Sequence, residues 1–320
     1  MTYFPEASSN EKEFVRDFVI TSKGQSVYAT NTGYLLKHDD ENDIWSTLYH
    51  APCLKNYASL EASPCGSIAV AGALAGKLVI ASVKNQFEPL IVETRGGIKI
   101  QFVFVFNGAS DNDYMIAVFR ANCTVGVFQL DISETTAKAS CHHLCDLRLP
   151  NNNKAIHAAY YSPSYNLVLL GSRDGTVLVY NLADITATHQ ESEDTQVLES
   201  IVELKRCHGT DSVSSILMVT EQGEGYEGKD RINVYTTGRD GSWTKYRFLG
   251  LPGGETLGAT STSADEDSGN QSGEDSDSDV EMEVETPGTP NMAGDRESDS
   301  GIVLQKIFRS KITKGWLEQV

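Results

Sequence analysis

One phrase recurs along this chain and limits what it can fold into. Val234-Tyr235-Thr236-Thr237-Gly238-Arg239-Asp240-Gly241 leads into an alternating run from Ser242 to Phe248. A β-branched and aromatic run that stops at Asp-Gly and restarts reads as a hairpin, because glycine accepts the positive φ that a tight turn demands. An earlier form of the phrase runs from Leu169 through Gly171-Ser172-Arg173-Asp174-Gly175 to Tyr180, after a turn at Ser162-Pro163. Moved back by 99 positions, it lands without a gap on Ser63-Pro64, Gly72, Gly76 and the run Leu78 to Ile80. Weaker copies turn at Gly33 and at Cys123. The turn centres Gly33, Gly76, Cys123, Gly175 and Gly241 are therefore 43, 47, 52 and 66 residues apart.

Repetition near a period of about 40 to 45 residues, with about four short strands per unit, predicts an all-β chain folded as a β-propeller of WD-type repeats. About five blades are expected here, as part of an incomplete ring. The longer last steps need only loop insertions, which the chain supplies at Asp184 to Glu199 and at Glu221 to Lys229.

The blade around Val234 carries groups able to lock such a repeat. His208-Gly209 precedes its first strand, Thr236 ends its second, Asp240 and Gly241 form its turn, and Tyr246 stands six residues after Asp240. Asp174, Gly175 and Tyr180 repeat the last part of this pattern one blade earlier. A histidine, a hydroxyl, a carboxylate and an aromatic hydroxyl can make a buried chain of hydrogen bonds, and deleting one leaves the others unsatisfied at about 1 to 3 kcal/mol each. Ser, His and Asp also make up hydrolase triads, but no nucleophile-elbow sequence accompanies them, so no residue is assigned a catalytic role and the chain reads as a non-enzyme.

Length and composition agree with an intracellular, cytoplasmic protein. The 320 residues can bury a large core, no run of 18 apolar residues exists, and the polar first twenty residues do not suit a signal peptide. Six scattered cysteines suggest buried thiols in a reducing compartment. The net charge of -18 is concentrated between Glu255 and Ser300, where fourteen acids meet one base, leaving -5 for all other residues. That balance argues against a broad nucleic-acid surface but not against a local patch.

Taken in order, residues 1–12 read as a flexible lead-in and 13–249 as propeller blades. Residues 250–300 read as a disordered acidic Ser-rich insertion, and 301–320 as the continuation of the last blade and the start of the next. Within the third blade, Ile98 to Phe106 is so apolar that burial on both faces is expected. The outer strand of that blade, Ala139 to Leu147, contains Cys141-His142-His143-Leu144-Cys145. Alternation would place Cys141, His143 and Cys145 on one side, but no second ligand pair accompanies them, so an ordinary half-buried strand is expected and no metal or other cofactor. His157 reads as a structural residue of the fourth blade's loop entry.

In the acidic insertion Ser263, Ser272, Ser276 and Ser278 each precede an acid by three residues, and Thr286 and Thr289 precede prolines. These suit acidophilic and proline-directed kinases respectively, each phosphate adding about -1.5 to -2 charges. A basic cluster follows at Lys306, Arg309, Lys311 and Lys314, a candidate contact for a partner or for RNA phosphate.

Several stretches taken together resemble a known family. Thr30-Asn31-Thr32-Gly33 with Trp45, Gly171 to Gly175, His208-Gly209 with Val213, Val234 to Gly241 and Gly315-Trp316-Leu317 come in an order and spacing similar to the WD-repeat protein 6 family. The Tyr-Thr-Thr-Gly-Arg-Asp-Gly string is the most specific of them. The resemblance implies a non-catalytic subunit that partners an FtsJ-type tRNA 2′-O-methyltransferase and assists ribose methylation at the wobble nucleotide of the anticodon. It implies tRNA within that complex, S-adenosylmethionine on the partner, no membrane association, and an internal portion of a longer two-propeller protein. The alternative is a generic WD-repeat adaptor, such as a ubiquitin-ligase substrate receptor or a trafficking scaffold.

Overall fold

Apolar runs separated by glycine and Asp-Gly turns become five antiparallel sheets that follow one another along the chain. The computed structural model describes residues 13–22, 24–84, 86–133, 135–150, 155–185, 196–221, 231–251 and 302–311. Blade 1 comprises β1 (Val15–Ile20), β2 (Gln25–Thr30), β3 (Tyr34–Asp39) and β4 (Ile44–His50). Blade 2 comprises β5 (Ser59–Ala62), β6 (Ile68–Gly72), β7 (Lys77–Ser82) and β8 (Leu90–Glu93). Blade 3 follows with β9 (Ile100–Asn107), β10 (Asp113–Arg120), β11 (Val125–Ser133) and β12 (Lys138–Leu147). In blade 4 the strands are β13 (Ile156–Ser162), β14 (Leu167–Ser172), β15 (Val177–Asn181) and, after β16 (Val197–Leu198), β17 (Val202–Leu204). Blade 5 is built from β18 (Val213–Glu221), β19 (Arg231–Gly238), β20 (Ser242–Leu249) and β21 (Val303–Lys311). Each sheet is a simple meander, each strand pairing with the next.

Two connections depart from the plain repeat. The short β16 leaves blade 4 to pair in parallel with the outer strand of blade 3, Asp146 opposite Val197 and Leu147 opposite Leu198. The last strand of blade 5, β21, pairs with β20 from Leu249–Val303 to Ser242–Lys311 although some fifty residues separate them in sequence. The lead-in, the acidic segment with its serines and threonines, Lys314 and Gly315 to Leu317 lie outside the described residues.

The sheets stack face on face, and strand alternation decides which residue serves which junction. In β14, Val168 and Leu170 join Ala117, Phe119, Val127 and Leu147 of blade 3, while Leu167 and Leu169 join Ile216, Met218, Val234 and Phe248 of blade 5. In β15, Leu178 and Tyr180 face blade 3 and Val177 and Val179 face blade 5. The middle strands are thus buried on both sides, which is why they read as continuous apolar runs. The other junctions repeat the scheme, Ile68, Val70 and Ile80 packing against Ile100 and Ile116, and Val27, Ala29 and Leu35 against Ala71 and Val79.

The third blade's first strand differs from expectation. Only alternate residues of β9 are buried, Val103 and Val105 among them, whereas Phe102 is 40% exposed and Phe104 and Phe106 are half-buried. The three phenylalanines alternate with the buried valines, and the core toward blade 4 covers Phe104 and Phe106 only in part. Burial on both faces belongs to the second and third strands instead.

All five turn centres adopt the left-handed conformation: Gly33 at φ 93°, Gly76 at 67°, Cys123 at 62°, Gly175 at 76° and Gly241 at 72°. Glycine is the cheap residue there, and Cys123 adopts the same turn at a steric cost. Five sheets of one topology, packed in sequence through shared apolar junctions, make this an incomplete WD-type β-propeller.

Candidate functional site

Among the described residues, a dense polar network lies where blade 4 hands over to blade 5. His208 leaves the loop after β17 with its ring fully buried. Its Nε2 is 2.9 Å from the Thr236 Oγ1, and its Nδ1 is 3.0 Å from the Ser242 Oγ and 3.3 Å from the Asp240 Oδ1. Ser242 donates its hydroxyl to Asp240 at 2.7–2.8 Å and its backbone N–H to Asp240 Oδ1 at 3.0 Å. From the last strand, Arg309 donates through Nη2 to Asp240 Oδ2 at 2.5 Å and through Nε to Ser242 Oγ at 3.3 Å.

Room for the imidazole is made by Gly238, where a Cβ would stand 2.3 Å from His208 Cγ. Burial pushes the His208 pKa down, with Asp240 opposing, so the ring is neutral. One tautomer satisfies every hydrogen: Nδ1–H donates to Ser242 Oγ, which donates to Asp240, while Thr236 donates to Nε2. Burial works against the Asp240 charge, but the Ser242 hydroxyl and N–H and the Arg309 guanidinium outweigh it and hold the carboxyl at about 2.

The membership is that of a hydrolase triad, but the arrangement is not. Ser242 and Asp240 both sit at Nδ1, and the hydroxyl on the opposite nitrogen, that of Thr236, is as deeply buried as the ring, so neither hydroxyl is open to act as a nucleophile. With the ring fully buried, no substrate reaches it. The arrangement fixes the Asp-Gly turn to the loop that enters the blade and to the strand that ends it.

Of the residues singled out in the sequence, His208, Thr236, Asp240 and Gly241 meet at this turn. Tyr246 is buried beside it and hydrogen-bonds the Cys207 side chain rather than the imidazole. One blade earlier, Asp174 takes the Ser172 hydroxyl, Ser172 also receives the Thr176 N–H at 3.1 Å, and Gly175 holds the turn. The Tyr180 hydroxyl instead reaches out of its blade, donating to the Arg148 carbonyl at 2.7 Å. Arg309 belongs to the Asp240 network, Lys306 is exposed on β21, and Lys311 ends that strand. Ser242 was missed by sequence reading because serine after Asp-Gly is unremarkable until His208 is brought to it.

Blade 3 solves the same problem with different residues. Arg120 takes the place of Ser172 ahead of the turn and is buried against Gly126. Its Nη2 donates to Asp146 Oδ1 at 3.2 Å and its Nη1 to Thr124 Oγ1 at 3.2 Å. His143 Nε2 lies 3.1 Å from the same Asp146 oxygen, with its ring edge-on to Phe128.

This placement corrects the expected face of Cys141, His143 and Cys145. A β-bulge at Leu144 shifts the β11–β12 register between the Val127–Cys145 and Phe128–His143 pairs. Cys145 therefore points into the blade 3–blade 4 core, while Cys141 packs at the blade 2–blade 3 junction. One extra residue reverses the alternation beyond it. Burial pushes both thiols up to about 12, and among the described residues no group of three such side chains can hold a metal.

Bulges also shape one end of the propeller. The first strands of blades 1, 3, 4 and 5 bulge at Arg16, Gln101, His157 and Ser214. His157 is thus a strand residue rather than part of the loop entry. At the same end, the residue two places before the turn centre donates its N–H to the carbonyl two before the bulge. Asn31 donates to Phe14, Ala121 to Lys99, Arg173 to Ala155 and Arg239 to Ser212, at 2.8–3.0 Å. The side chains of Arg173 and Arg239 are exposed.

No protein-family model matches the chain, and no curated protein matches it. Among solved structures it is similar to the Myceliophteria thermophila Cps50 (Swd1) β-propeller domain at 13% identity and a TM-score of 0.44, over 73% of this chain and 65% of that one. It is similar to Chaetomium thermophilum Sqt1, solved with the N-terminus of ribosomal protein L10, at 14% identity and a TM-score of 0.49, over 75% and 60% of the two chains. Kluyveromyces lactis Hsv2p is similar at 11% identity and a TM-score of 0.47, over 73% and 68%. The chain thus spans less than two thirds of the first two of these structures. At such identities their partners do not transfer. Among the described residues no helix is long and apolar enough to cross a membrane.

Proposed function

We propose that this propeller is a non-catalytic scaffold that binds an FtsJ-type tRNA 2′-O-methyltransferase and assists ribose methylation at the anticodon wobble nucleotide, in the cytoplasm. The observation that supports the reading is the Tyr235 to Gly241 string, the most specific part of the resemblance to the WD-repeat protein 6 family. In this chain that string forms the second strand and turn of blade 5, held by His208 and Arg309. Such a turn presents rigid surface loops on a fixed frame, which is what a docking subunit requires. In this reading the methyl donor and the reacting groups belong to the partner. Phosphorylation of the acidic segment adds a regulatory charge to the same assembly.

The test is affinity purification of the tagged gene product from its own cells, with nucleoside mass spectrometry of tRNA from a deletion strain. Co-purification of an FtsJ-type methyltransferase and loss of the wobble ribose methyl group are expected. Intact methylation with another partner set would overturn the reading in favour of a generic WD-repeat adaptor.

A further inference from the structure

The polar groups of the turns are consumed within the fold, but two cations at the bulged end are not. Arg173 and Arg239 occupy equivalent positions in adjacent blades, each held by its backbone to the strand beside the next bulge. Their neighbours Asp174 and Asp240 are turned inward, onto Ser172 in one blade and onto Ser242 and Arg309 in the other. Among the described residues neither guanidinium has a side-chain hydrogen bond or an ion pair.

Packing brings the two positions together: Gly171, two residues before Arg173, lies against Val213, which follows Ser212, the acceptor of the Arg239 N–H, and against Ala158, the neighbour of the bulged His157. Burial first, then the charges of Arg239 and Arg173, lowers the His157 pKa, so both guanidinium charges act on this ring. The ring of Phe102, 40% exposed, comes next at 5.8 Å from the His157 ring. An exposed aromatic beside two uncommitted guanidinium groups matches a ligand with an anionic group and an apolar neighbour.

We propose that this end of blades 3 to 5 is a docking site for a phosphorylated peptide segment, its phosphate held by Arg173 and Arg239 and an adjacent apolar side chain resting on Phe102. A phosphate offers three acceptor oxygens to two planar forks, more than one carboxylate can. Nucleic acid is the poorer fit, because it needs a track of cations along successive phosphates. Here the equivalent positions in blades 1 and 3 are Asn31 and Ala121, Lys99 lies over the Tyr57 ring at 4.2 Å, and Arg16 lies over Phe14 at 4.5 Å. Among the described residues the cation is not repeated at this position in blades 1 to 3, where Asn31, Leu74 and Ala121 stand.

The experiment presents the full chain to an immobilised peptide library with a fixed central phosphothreonine or phosphoserine and degenerate flanks, beside the same library after phosphatase treatment. Retention at least about tenfold higher on the phosphorylated library is expected, with apolar residues enriched next to the phosphate. R173E/R239E should abolish that retention, R173K/R239K should leave an intermediate level, and Lys138→Ala on the outer strand of blade 3 should change nothing. Phe102→Ser should erase the apolar enrichment while phosphate dependence persists. Both arginines are exposed, so their variants keep the fold, which circular dichroism checks. Equal retention on the two libraries would overturn the proposal, as would undiminished retention by R173E/R239E. So would an RNA decamer binding more tightly through the same arginines.

Discussion

Arg309 Nη2 lies 2.5 Å from Asp240 Oδ2, so the strand that ends blade 5 closes on the turn between the blade's second and third strands. Removing the carboxylate strands three partners at once. Asp240→Ala is expected to lower stability by about 1 to 3 kcal/mol, and Arg309→Ala, a partly exposed partner, by about 1 kcal/mol or less. Urea unfolding at neutral pH measures both, and an unchanged midpoint for Asp240→Ala would refute the network.

The same pair of blades predicts two windows of acid sensitivity. The folded His208 pKa is below 6.5, so the unfolded chain takes up the proton first, and stability present above about 6.5 declines as pH falls toward the depressed value. Asp240 is held at about 2 against 3.8, so its contribution is present above 3.8 and is lost between there and 2. Urea midpoints followed from pH 7.5 to 5 should fall for the parent chain and flatten for His208→Gln. An equally steep decline in that variant would assign the upper window to another group.

Close approach at Gly238 yields a steric prediction. A Cβ there would stand 2.3 Å from His208 Cγ, so Gly238→Ala must displace the ring from Thr236 and Ser242. A loss of about 1 to 3 kcal/mol is expected. Conversely, Cys123 holds φ 62°, and Cys123→Gly should raise stability by up to about 1 kcal/mol. Thermal melts of the two variants should move in opposite directions.

Arg120 is the buried cation of blade 3, and its removal leaves Asp146 with His143 alone. Arg120→Ala should cost about 3 kcal/mol or more, because breaking a buried pair leaves an uncompensated charge. Adding Asp146→Asn should recover part of the loss in a double-mutant cycle. Equal and additive losses would mean the two side chains do not interact.

The terminal sheets leave apolar side chains open: Phe18 is 57% and Ile20 64% exposed on β1, and Leu217 50% on β18. Unpaired apolar sheet faces of this kind favour association. The 320-residue chain expressed alone should self-associate with rising concentration, and Phe18→Asp with Leu217→Asp should weaken it. A monodisperse monomer by light scattering would contradict this.

Much of the architecture was legible before any coordinates. The five turn centres were readable because the left-handed turn demands glycine or a tolerated substitute, a local requirement written at fixed spacing. The alternating and continuous apolar runs marked the strands for the same reason, and His208, Thr236 and Asp240 were recognisable as lock residues from their offsets. What sequence could not show were relations made only across blades or by a single inserted residue. The bulge at Leu144 turned Cys145 away from Cys141. Phe102 was left open because the core that partly covers Phe104 and Phe106 does not extend to it. Ser242 and Arg309 joined His208 across 34 residues and Asp240 across 69. Arg173 and Arg239 became a pair only when equivalent turns of two blades were set side by side. Local chain chemistry thus determined the repeat and its turns. The stacking of sheets decided the partners, because long-range contacts depend on register and face, which a single bulge can reverse.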